Sequence, residues 1–111
     1  MNKSGKTGIT PKYVEETDYK GYLEHYFGNY IGSARIWIID GDLNRNFNER
    51  KSKFIMGLEQ AIKLNLPEKH GVTRQNLIEM LELVRMSDLS KMDDINNLYA
   101  LYNKIKHKSP L

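Results

Sequence analysis

Residues 73–86, TRQNLIEMLELVRM, constrain the fold most. With successive residues about 100° apart around a helix axis, Leu77, Ile78, Met80, Leu81, Leu83 and Val84 spread over a wide apolar arc. Only Glu79, Glu82 and Arg85 gather on the remaining strip. Thr73 is a good N-cap, and Val72 and Leu77 stand where a hydrophobic staple puts its two apolar residues. A helix this apolar has to be covered on two sides. The stretch therefore predicts the central helix of a small bundle.

A chain of 111 residues is enough for one core and too short for two. Its 40% hydrophobic and 28% charged content is that of a folded globular domain rather than a disordered one. No cysteine is present, which excludes disulfides, thiolate chemistry and cysteine-ligated zinc. Lys3 and Lys6 are not followed by an apolar run, so no secretory leader is expected. No stretch approaches the ~20 apolar residues of a membrane span. The expected location is the cytoplasm, away from membranes.

The net charge of +3 is unevenly distributed. Lys3, Lys6 and Lys12 lie near the start and Lys104, Lys106 and Lys108 near the end. The 11 remaining cations face all 14 acids, so residues 13–103 carry about −3. A folded face that grips nucleic acid normally carries the positive excess itself.

In chain order, residues 1–12 have no periodicity and read as a flexible basic arm. Their Ser4-Gly5-Lys6-Thr7 resembles the end of a phosphate-binding loop, but the glycine required upstream has no place in the chain. A first helix is expected from a Thr17 or Asp18 cap to Ile31, with Gly32 as its stop. Tyr19, Tyr22, Leu23, Tyr26, Phe27, Tyr30 and Ile31 follow helical spacing on one face. Such a stripe is either core or a partner surface, because tyrosine tolerates partial wetting and is favoured in interfaces. Together with Tyr13 it holds five of the 7 tyrosines. Gly21 and Gly28 weaken the helix and could admit another backbone.

Residues 34–39, ARIWII, suit a short β-strand or extended segment, and equally a buried helical segment. Periodicity cannot decide over so short a run. Trp37 is assigned to the core, and Asp40-Gly41-Asp42 ends the segment. Asp40, Asp42, Asn44 and Asn46 then alternate like calcium-loop ligands. Arg45 stands where that loop turns on a glycine, however, and Lys51 where a glutamate closes the cage. The expectation is a polar turn, an Asn46 cap with Glu49 in capping-box position, and no metal.

The next helix covers residues 47–64, with Phe47, Phe54, Ile55, Leu58, Ala61 and Ile62 inward. Arg45, Arg50, Lys51 and Lys53 form the one basic cluster of the body, suited to phosphate backbones if not simply solvated. Leu66-Pro67 ends that helix. After the central helix, a last one capped by Ser90 or Asp88 turns Ile95, Leu98, Tyr99, Tyr102 and Ile105 inward. Its basic last turn complements the helix dipole. A DNA-reading helix-turn-helix is disfavoured, since Asp93 and Asp94 would meet phosphates at the start of the recognition helix.

His25, His70 and His107 lie apart, at no metal-ligand spacing, and Glu79 and Glu82 occupy a wet strip beside Arg85. No catalytic residues, cofactor or metal are assigned. The expected fold class is mainly α, a bundle of about four helices. It has a basic arm at 1–12, one domain at 13–108 and a tail at 109–111. The expected function is non-enzymatic: a small binding or regulatory module of inhibitor, immunity or assembly-subunit type. It docks onto another protein, or onto itself, through Tyr19, Tyr22, Tyr26 and Tyr30, of which at least one should then be exposed. The alternative is a nucleic-acid-binding accessory protein using Arg45, Arg50, Lys51, Lys53 and the basic ends.

Overall fold

The computed structural model describes residues 18–107. The arm at 1–12, with its Ser4-Thr7 motif, and the tail at 109–111 lie outside them. Helix α1 (Tyr19–Tyr26), a π-helical turn (Phe27–Ile31) and α2 (Gly32–Ile39) follow one another without interruption. Then come α3 (Phe47–Lys63), α4 (Arg74–Met86) and α5 (Met92–Lys106). The first three pieces act as one rod, so the fold is a bundle of four helical units, and no strand occurs among the described residues.

The rod departs from the sequence expectation in two ways. Its start does not: Asp18, one of the two expected caps, accepts the Gly21 N–H at 2.9 Å. The rod does not stop at Gly32, whose φ of −59° and ψ of −44° are helical. Instead, the Gly32 N–H reaches back to the Phe27 carbonyl, five residues away, and closes a π turn. Glycine permits a helix to end but does not force it. The end comes at Asp40-Gly41, where Gly41 has φ +74° and the Gly41 and Asp42 N–H groups bond the Ile38 and Trp37 carbonyls. Residues 34–39 are thereby helical, with Ala34 buried. Trp37, expected in the core, is only half-buried, because it sits at the rim where α2 meets the start of α3.

Helix α3 begins at Asn46, whose side chain accepts the Glu49 N–H at 2.9 Å. Helix α4 begins with a full capping box between Thr73 and Asn76. Val72 and Leu77 on either side of the cap are fully buried. As its apolar arc requires, α4 touches α1, α3 and α5. At the start of α5, Ser90 and Asp88 are not the cap. Lys91 holds that position and makes no side-chain capping bond. Asp88 instead accepts the Ser90 N–H and hydroxyl at 2.9 and 2.6 Å, while Asp94 accepts the Asp88 N–H at 2.7 Å. These bonds close the α4–α5 link and hold the Asp88 carboxyl below the usual carboxylate range, chiefly through Ser90.

One apolar cluster runs through all four units. Phe27 is its aromatic hub, stacked on Tyr102 at 4.2 Å and edge-on to Tyr99 and Phe54 at 4.9 and 6.1 Å. A very close approach of a side chain to a helix backbone occurs not at Gly28 but at Gly57 on α3. A β-carbon there would lie 2.6 Å from the Tyr26 ring, whereas at Gly28 it would meet nothing within 4 Å.

Candidate functional site

The tyrosine stripe turns inward. Tyr19 and Tyr22 are 2% and 3% exposed, which leaves no surface for a partner. The Tyr19 hydroxyl donates to the Leu64 carbonyl at 2.6 Å and accepts the Leu66 N–H at 3.4 Å, tying α1 to the α3–α4 linker. Burial pushes the Tyr22 phenol above its ordinary pKa, with Tyr26 adding to the effect. Tyr26 and Tyr30 are half-buried and stacked at 5.8 Å. Tyr26 presses on Gly57, and Tyr30 lies between Phe54 and the Arg50 guanidinium. None of the four reaches the exposure of a free docking residue. The helical spacing located the face correctly, and that face packs against this chain's own core.

The basic cluster divides. Lys51 turns away and donates to the Arg85 carbonyl at 3.0 Å, at the C-terminal end of α4. Arg45, Arg50 and Lys53 converge with Trp37, Asn46 and Glu49 around an open cleft of about 240 Å³. Trp37 forms its aromatic wall, set edge-on against Phe47 at 5.3 Å. The Arg45 and Arg50 guanidiniums lie 5.3 and 5.0 Å from the Trp37 ring centroid, and Arg50 lies 5.2 Å from that of Tyr30. Arg45 also bonds Asp42 at 2.8 Å, and Lys53 approaches Glu49 at 3.8 Å. Both pairs are solvent-exposed and therefore weak. Two of the alternating oxygen ligands of residues 40–46 are engaged otherwise, Asp42 by Arg45 and Asn46 by the helix cap.

At the same end of the rod stand exposed residues that the sequence reading did not single out. Ile36, Ile39 and Leu43 are 56%, 63% and 65% exposed. Ile36 and Ile39 are three residues apart on α2 and share its outer face. Leu43 follows in the α2–α3 turn, where the chain folds back on the end of α2. Their signal was present in ARIWII once that run is wound as a helix. With Ala34 inward, Ile36 falls about 200° around the axis and must point outward.

Among the described residues, no three His, Cys, Asp or Glu side chains come together as a metal site. No helix of the described residues is long and apolar enough to cross a membrane. No protein-family model, curated protein or solved structure matches this chain.

Proposed function

We propose that this protein is a non-enzymatic binding or regulatory module that docks onto another protein. The docking face is the exposed end of the first helical rod, Ile36, Ile39 and Leu43 beside Trp37, in place of the tyrosine stripe. The exposure of these three aliphatic side chains within a few residues supports the reading. Contiguous apolar surface costs solubility and commonly marks an interface, and tryptophan and arginine at its edge are the residue types that dominate interface energetics.

The nucleic-acid reading retains one observation in its favour, the convergence of Arg45, Arg50 and Lys53 on Trp37. Glu49 in the cleft wall and the departure of Lys51 weigh against it.

The test is capture from a nuclease-treated lysate of the native cells by the tagged chain, with Ile39→Glu and Leu43→Glu in parallel. A specific protein should be retained by the native chain and lost with both variants, while their melting temperatures stay within a few degrees. Unchanged capture by the variants, or capture abolished by nuclease alone, would overturn the docking face.

A further inference from the structure

Arg50 is held but not engaged. Two rings fix its guanidinium, Tyr30 at 5.2 Å and Trp37 at 5.0 Å. Among the described residues this guanidinium makes no hydrogen bond or ion pair with a carboxylate or carbonyl. A guanidinium stacked in this way has already lost much of its rotamer freedom, so a ligand that meets its fork costs little further ordering. The fork opens on the cleft that Arg45, Asn46, Glu49 and Lys53 also line.

The charge count around that cleft selects the ligand. Arg45 is answered by Asp42 and Lys53 by Glu49, which leaves Arg50 as a single positive surplus. A run of phosphates needs several cations and would set its next charge against Glu49 or Asp42. One carboxylate needs one fork, and an arginine fork takes it with two parallel hydrogen bonds. The aliphatic side chains at 36, 39 and 43 are exposed at the same end of the rod.

We propose that the cleft receives one carboxylate from an acidic segment of a partner protein. Apolar side chains flanking that carboxylate lie on Ile36, Ile39 and Leu43. The inference rests on the docking reading above and specifies what the docked chain carries.

The test is a side-chain NMR titration of the full chain with three probes. These are acetyl-Leu-Ala-Glu-Ala-Leu-amide, the same peptide with glutamine for glutamate, and single-stranded dodecathymidylate. The Arg50 Nε–H and Trp37 indole N–H report the carboxylate, and the methyls of Ile36, Ile39 and Leu43 report the apolar face. The glutamate peptide should move both sets. The glutamine peptide should bind about tenfold more weakly, the scale of losing a charge-assisted bidentate contact, and leave the Arg50 signal in place. Arg50→Gln should reduce affinity for the glutamate peptide to that of the glutamine one, and Arg50→Lys should restore it only in part.

Equal binding of the two peptides, or methyl shifts with a silent Arg50, overturns the carboxylate site and leaves the docking face standing. Shifts at Arg50 and Trp37 with silent methyls keep the carboxylate site and remove the docking face. Silence in both sets overturns the proposal. So does dodecathymidylate binding more tightly than the glutamate peptide, with a steep salt dependence that Arg50→Gln flattens.

Discussion

The C-terminal end of the first helical rod is the more apolar in sequence, yet it is the N-terminal end whose apolar face is covered. Tyr19, Tyr22, Leu23 and Phe27 at the N-terminal end are buried, covered by α3, α4 and α5. Ile36 and Ile39 at the C-terminal end are open, because only α5 and the start of α3 reach that far, on the sides of Arg35 and Trp37. Helical spacing decides which residues share a face. The length and placement of the neighbouring helices decide whether that face is covered. The π turn at Phe27–Ile31 lies between the two regimes, and an added residue in a turn re-aims every side chain beyond it.

The largest expected effect lies on the covered side of this contrast. Phe27→Ala should destabilise by about 3–5 kcal/mol, since it removes the ring on which Tyr102, Tyr99 and Phe54 pack. A loss under about 1 kcal/mol in urea midpoints would mean the buried end is loosely packed. Gly57→Ala comes next, at about 1–3 kcal/mol, because its methyl would overlap the Tyr26 ring. In a Tyr26→Ala background most of that cost should vanish, and a strictly additive double mutant would refute the close contact.

A smaller effect should appear in alkali. Burial, then Glu24 and Tyr99, push the Tyr102 phenol above its ordinary value of 10.0. The fold therefore favours the neutral phenol. The stability it contributes is complete below the unfolded value and is lost as pH climbs through the raised one. Tyr102→Phe should flatten the alkaline fall in melting temperature, and an unchanged curve would count against Tyr102 as its source. The smallest effect belongs to the open end. Ile39→Ser should alter stability by about 0.5 kcal/mol or less, and a larger loss would show that this end is covered after all.

Much of the architecture was legible in the sequence. The central helix, its Thr73 cap and its inward arc follow from spacing alone, as do the Asn46 cap and the inner faces of α3 and α5. Asn76 as the reciprocal partner of Thr73 went unread because the usual signature has Glu or Gln there. The continuation past Gly32 was hidden because glycine marks a stop only when the chain turns with positive φ, as it does at Gly41. The candidate site was half legible. Clustered cations at 45, 50 and 53 pointed to it, but Trp37, Tyr30 and the open isoleucines join it only through contacts between α2 and α3. Composition assigned the tyrosines to an interface, whereas the Tyr19 hydroxyl and the Tyr26 and Tyr30 rings found partners within the chain.

Trp37 is the single tryptophan of the chain, and it stands between charged guanidiniums at the rim rather than in the core. Its fluorescence is therefore a local gauge. It will report the polarity and opening of the cleft, while circular dichroism at 222 nm follows all four helices together. A cooperative two-state domain gives coincident transitions by both probes. If the tryptophan signal changes at lower urea than the helical one, the end of the rod and the head of α3 separate before the Phe27 hub gives way, and the cleft belongs to the softest part of the molecule.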